Sequence, residues 1–298
     1  MLKKADVYIL IAAAAWAFTG VFYKGVENAG VSSLEAVGLR LIVASLAALI
    51  YYVAKEKSLP PISWQDVPLY FGTGVCSLVF FNIMYFRAIS LTSVSIAVAL
   101  LYTSPCFVVL LSRLMFKEPL TKAKVLATGF TLIGCFLVTG AFQAELAALP
   151  AKGIIFGVAA GFAYALYSVL GKYPLARRSS DTVSFYTLFF AAVAMFPFAR
   201  PDRAIFLLTS PTAIASALAL GVASCTLPYV AYTKGLSQME SGRASLLVAV
   251  ELVIAAFLGV VTQGDRLGFS QIIGIAMIFS AVTLLNLNKA PAAAEAKQ

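Results

Sequence analysis

Few residues in this sequence can do chemistry, and the sharpest is an acid where acids are rare. Glu251 interrupts the run Leu246-Leu247-Val248-Ala249-Val250-Glu251-Leu252-Val253-Ile254. A charged side chain deep in hydrocarbon costs several kcal/mol if unpaired, so it faces a cavity or a partner. Two roles are open to it: a proton carrier or counter-charge for a substrate amine, or a hydrogen-bonding group that fixes helix packing. Arg40 lies in a second apolar run, five residues after Glu35. Its planar fork suits a carboxylate or phosphate. A long stem snorkelling to the outer surface is the simpler reading of Arg40.

Aromatic and amide groups form the second set. Asn82 and Tyr85 are three residues apart, as are Tyr164 and Tyr167, and Tyr229 and Tyr232. Each pair therefore shares one helix face. Together with Trp16 and Tyr102 they can line a cavity that stacks flat solutes or meets amines by cation–π contact. Packing and interfacial belts are the bland reading, and Tyr85 and Tyr232, near helix ends, suit a belt. Gly153, Gly157 and Gly161 make a double GxxxG, a spacing that lets helix backbones approach. Pro105, Pro197 and Pro228 remove backbone hydrogen bonds and are hinge candidates.

Other chemistries are excluded. The sequence has no histidine, so a Ser-His-Asp triad and any His-ligated metal site are impossible. Paired intramembrane aspartates are missing too, because Asp6, Asp66, Asp181, Asp202 and Asp265 all fall at span ends or in loops. Cys76, Cys106, Cys135 and Cys225 sit singly in apolar runs and read as reduced, buried small hydrophobes. There is no P-loop, so energy must come from gradients or exchange. No enzyme activity, cofactor or metal is expected.

The elements that must position these residues are membrane helices. The chain is 61% hydrophobic and 12% charged, against about 45–50% and 25% for soluble domains. Its continuous apolar runs match the roughly 20 residues needed to cross a bilayer, where barrel strands would alternate. Ten spans are expected, near 6–26, 34–54, 67–89, 92–116, 123–142, 152–172, 181–200, 212–234, 243–263 and 268–288. Lys3-Lys4 before an apolar run imitates a signal peptide, but the segment has a counterpart later in the chain. The net charge of +9 is spread singly between spans, which is no nucleic-acid footprint. With the N-terminus inside, most lysines and arginines fall in cytoplasmic segments, so both termini are expected in the cytoplasm and the protein in the inner (cytoplasmic) membrane. The tail 289–298 reads as disordered.

An internal repeat organises the spans. At an offset of 147 residues, Ser32-Ser33 falls on Ser179-Ser180, Tyr85 on Tyr232, and Glu118 on Asp265. At 148, Trp16 falls on Tyr164 and Lys24 on Lys172. Five spans per copy, an odd number, means the second copy enters from the opposite side. The expected fold is all-α and integral to the membrane: ten transmembrane helices as two inverted five-helix repeats, 1–142 and 152–288. Substrate sites in such proteins lie near the midplane between repeats.

These landmarks resemble the drug/metabolite transporter superfamily, and within it the EamA-like family. Ala15-Trp16-Ala17 leading to Lys24 is similar to that family's first helix. Tyr102-Thr103-Ser104-Pro105 through Phe116-Lys117-Glu118-Pro119-Leu120-Thr121 is similar to its fourth helix and following loop. Val250-Glu251-Leu252 and Gly264-Asp265-Arg266-Leu267 match in the second copy. The resemblance covers about 6–288. Leu252 stands where the family often has proline, so helix 9 is expected to be less kinked than helix 4.

The resemblance implies that helices 1, 3, 4, 6 and 8 surround a central cavity and that the protein is a secondary transporter, more often an exporter, of small metabolites. Mixed charge places amino-acid-like solutes first. Multidrug or organic-cation efflux, a flippase for lipid-linked sugars, and a non-transporting scaffold or receptor are the alternatives. Expected partners are a small-molecule substrate and the lipid bilayer, with no nucleic acid, in a monomer or homodimer.

Overall fold

In the computed structural model, residues 3–28, 30–143, 149–200, 211–264 and 266–287 are described. Apolar residues at every face of each segment leave backbone bonding no outlet but the helix. Among the described residues the chain is helical, with no strand. Among the described residues nine segments are long and apolar enough to cross a membrane: α1 (Lys4–Glu27), α2 (Ser33–Glu56), α3 (Val67–Leu91), α4 (Val94–Phe116), α6 (Ala151–Leu175), α7 (Ser180–Phe198), α8 (Pro211–Leu236), α9 (Ser241–Thr262) and α10 (Phe269–Leu287). The segment expected at 123–142 is α5 (Lys122–Val138), a helix of 17 residues. A short 3-10 turn at Ala141–Gln143 follows it, so continuous α-helix ends earlier than expected. The tail 289–298, with Lys289 and Lys297, lies outside the described residues, as do Asp202, Arg203 and Asp265.

Start signals explain the boundaries. Ser32 and Ser179 cap α2 and α7 by accepting from the backbone N–H of Glu35 and Thr182. Glu35 completes a capping box with Ser32, which accounts for that carboxylate. Ser93 and Thr121 cap α4 and α5 in the same way. Four pairs of helix starts lie 147 residues apart: Lys4 and Ala151, Ser33 and Ser180, Val94 and Ser241, Lys122 and Phe269. Lys117 and Gly264, at the same offset, end α4 and α9 in the left-handed conformation.

Packing follows the same correspondence. α5 packs on α10, α2 on α7 and α4 on α9; α3 packs on α6 as α1 does on α8, and α4 on α6 as α9 does on α1. Without a hydrophobic drive between helices in lipid, close contact depends on small residues. Ala12 and Ala13 of α1 are fully buried against α8. Gly161 of α6 sits against the carbonyls of Leu100 and Leu101, where a Cβ would approach within 3.0 and 3.1 Å. The double GxxxG is therefore a packing seam against α3 and α4.

Four of these helices are irregular along their length. π-helical stretches occur at Gly72–Val79 in α3 and Val222–Thr226 in α8. They end 147 residues apart. α4 breaks at Tyr102–Thr103 and α9 at Val248–Ala249. The α9 break corrects the expectation of a less kinked helix. In α9 the hydrogen bonds shift to i−3, with Glu251 N–H donating to Val248 O at 2.9 Å and Leu252 N–H to Ala249 O at 3.1 Å. In α4 Thr103 N–H donates likewise to Leu100 O at 3.1 Å. Proline is present only in α4, as Pro105 in the first turn after the break; a tightened turn does the same work in α9. Pro228 follows the π-helical stretch of α8, as a hinge residue would.

Charged residues gather at the end of the bundle where α1 begins. Lys55 meets Asp181 at 2.6 Å, and Lys234 meets the same carboxylate at 3.1 Å. Arg243 pairs with buried Asp6 at 3.0 Å, and Lys124 with Glu240 at 2.7 Å. Glu118 accepts from the backbone N–H of Ser241 at 2.8 Å, capping α9 from a distance. Arg178 meets Asp66 at 2.7 Å, in the loop before α3.

Burial alone would raise the Asp66 carboxyl. Hydrogen bonds from Ser63 and Arg178 outweigh it and hold the group below the usual carboxylate range. Stability from a depressed carboxyl is present above its unfolded pKa and lost as pH falls through the folded one. Asp66→Asn is therefore expected to lower the melting temperature near pH 7. The gap should close as pH drops below about 4, and a gap that does not change with pH would deny the ion pair this role. Detergent melting curves across pH check it.

Candidate functional site

The residues singled out by type and spacing converge at the middle of the bundle. Trp16 of α1 is 7% exposed and stands edge-on to Tyr229 at 5.3 Å and Tyr164 at 6.5 Å between ring centroids. Tyr232 is 5.6 Å from Trp16, and Tyr167 is 5.2 Å from Tyr229. Phe81 of α3 joins Tyr164 at 5.3 Å and Tyr85 at 5.8 Å. Trp16, Phe81, Tyr164, Tyr167, Tyr229 and Tyr232 surround a cavity with Ser77, Leu78 and Ser168. Its free space is about 10 Å³, room for roughly one water.

Two hydroxyls of this wall are already used. Tyr167 shares a 2.5 Å hydrogen bond with Thr233, and Tyr232 one of 2.7 Å with Ser168. These tie α6 to α8. Tyr232 is thus a core residue, 3% exposed, and not part of an interfacial belt: tilted ring neighbours and a hydroxyl partner are both available inside the bundle. Asn82 is buried and donates to Leu78 O at 2.7 Å, so its amide N–H₂ turns back on its own helix.

The charged pair lies beside the aromatic wall. Arg40 does not reach for the surface. Its Nη2 donates to Ser224 O at 3.0 Å, a carbonyl inside the π-helical stretch of α8. A π turn frees carbonyls from the helical ladder, and one of them meets the guanidinium. Cys225, Tyr229 and Glu251 are the other groups interacting with Arg40. Glu251 stands in the first turn after the α9 break, half-buried, where helix N–H groups favour negative charge. Tyr102 faces Glu251 from the matching break of α4, with Tyr85, Tyr164 and Tyr229 also in its field.

Sequence reasoning missed Phe81, Cys225, Ser168, Thr233 and the Ser224 carbonyl. Two of them carried a signal: Phe81 and Cys225 are each four residues before a site tyrosine, Tyr85 and Tyr229, hence on the same helix face. Cys225 and Cys135 are buried as expected, but Cys106 is half-buried and Cys76 faces outward. Gly72 to Val79 is π-helical, which turns Cys76 off the regular helical face.

The arrangement has one cation, one acid and an aromatic box, gathered from α1, α2, α3, α4, α6, α8 and α9. These groups match a small solute carrying charge of both signs and an apolar body, while the cavity as it stands has room for about one water.

The family model of the EamA-like transporter family matches residues 3–140 and 151–287. An uncharacterized transporter of Archaeoglobus fulgidus is 30% identical over 95% of this chain and 96% of its own length. The uncharacterized transporter YwfM of Bacillus subtilis is 23% identical over 96% of this chain and 94% of its own. A crystal structure at 19% identity superimposes with a TM-score of 0.78, covering 95% of this chain and 97% of that one, and shares the fold.

Proposed function

The chain belongs to the EamA-like transporter family, and from that premise we propose that it is a secondary active transporter exporting small metabolites such as amino acids by alternating access. Its two halves, 1–142 and 152–288, act as inverted five-helix repeats, with α5 completing ten membrane crossings. The 147-residue correspondence of helix starts, breaks and helix contacts supports this reading. Two nearly equivalent halves can exchange conformations, giving inward-open and outward-open states of similar energy.

The observation that carries the proposal is the placing of Arg40 and Glu251 beside an aromatic cavity built from both halves. Glu251 is the proton-coupling residue; Trp16, Asn82, Tyr85, Tyr102, Tyr164, Tyr167 and Tyr229 shape the cavity. The distribution of basic residues supports a reading with both termini in the cytoplasm and the protein in the inner membrane, as a monomer or homodimer.

Purified protein in liposomes tests this, using labelled amino acids, purines and organic cations, with and without a pH gradient. Saturable uptake of amino acids, stimulated by the gradient, is the expected result. Folded protein that moves none of the panel would remove the amino-acid reading. Uptake confined to organic cations would replace it with multidrug efflux.

A further inference from the structure

The guanidinium of Arg40 is incompletely partnered. Nη2 donates to Ser224 O, while Nε is buried and has no acceptor. Arginine carries five N–H donors in a rigid fork, and an orphaned buried donor calls for an explanation. Among the described residues, the groups in the field of Arg40 are the Cys225 thiol, the Tyr229 hydroxyl and the Glu251 carboxylate. Glu251 in turn has Tyr102 as a hydroxyl partner. Tyr102 stays with Glu251 whatever acceptor Arg40 takes.

We propose, resting on the transporter reading, that Arg40 selects substrates by their carboxylate through its open Nε edge. In the empty site Glu251 lies in the field of Arg40 without a hydrogen bond or ion pair to it, and the Nε edge stays open. In the loaded site the substrate carboxylate takes the Nε edge. Glu251 is then free for the substrate's ammonium group or for a proton. One cation facing one acid leaves no surplus positive charge, so a monoanionic carboxylate fits where a phosphate dianion would be underneutralised. A solute that is only cationic offers the open Nε edge no acceptor and meets the charge of Arg40, and is disfavoured. Trp16, Tyr164 and Tyr229 take the apolar body, so amphipathic carboxylates are the class.

The protein reports on this directly. Its two tryptophans are Trp16, in the site, and Trp64, 90% exposed in the α2–α3 loop. In a Trp64→Phe background, fluorescence reads the site alone. The probes are phenylalanine, phenylalaninamide and 3-phenylpropanoate, titrated at equilibrium into detergent-solubilised protein. Both carboxylates are expected to change Trp16 emission saturably, and the amide to bind at least ~10-fold more weakly. Arg40→Gln should erase that preference and Arg40→Lys restore part of it, with melting curves showing all variants folded.

Equal binding of the amide overturns the proposal. So does a carboxylate preference surviving in Arg40→Gln, or no saturable signal from any probe. Because the readout is binding, a failure here leaves gradient-driven transport standing as a separate question.

Discussion

Glu251→Gln is expected to abolish pH-gradient-driven uptake while leaving substrate exchange across the membrane intact. The substitution keeps the shape and the hydrogen-bonding capacity toward Tyr102 but cannot take up or release a proton. Proton transfer by a positioned group contributes typically ~10²–10⁴-fold, so gradient-driven flux should fall by at least ~100-fold. Counterflow, with the same solute on both sides, needs only that the loaded carrier reorients. It should stay within a few-fold of the native rate. Flux measured in both modes on the same liposomes checks this. If the variant loses both modes and aggregates in detergent, Glu251 is a packing group. If it keeps gradient-driven uptake, the proton is carried elsewhere.

Glu251 was legible in the sequence because a charge among the eight apolar neighbours of the run 246–254 has few structural excuses. The starts of four helices are legible for a similar reason: Ser32, Ser93, Thr121 and Ser179 are caps by residue type. Arg40 was not legible in the same way. Whether a long stem snorkels or turns inward depends on what faces it, and what faces it is a carbonyl from a helix 184 positions away. That carbonyl is available only because α8 is π-helical there. A π turn has no strong residue signature, since it depends on neighbouring helices accepting a bulge. The break in α9 is a parallel case. Local sequence without proline argues for a straight helix, and packing against α4 and α1 overrides it. Tyr232 was misplaced because position near a helix end suggests a belt. Its ring in fact finds Trp16 and its hydroxyl finds Ser168.

The cluster of ion pairs at the end where α1 begins leads to a second large effect. Lys55–Asp181, Asp66–Arg178, Lys124–Glu240 and Asp6–Arg243 each join a residue of the first half to one of the second. Glu118 caps α9 across the same divide. Individually, exposed pairs contribute little. Buried members such as Asp6 and Asp181 are different, because separating them from a partner strands a charge. If the halves rock against each other, opening this end must break these contacts together, and closing it must remake them. Holding one closed should therefore stop the cycle without touching the site. Lys55→Cys with Asp181→Cys, in a background with the four native cysteines replaced by serine, can be bridged by a short bifunctional methanethiosulfonate. Bridging is expected to cut transport at least ~10-fold, and reduction with dithiothreitol to restore it. The single-cysteine variants, treated identically, should transport at the rate of their background. Bridged protein that still transports would mean that α2 and α7 travel as one body. The moving boundary would then lie between other helices, and the contacts gathered at this end would be struts within a rigid half of the machine.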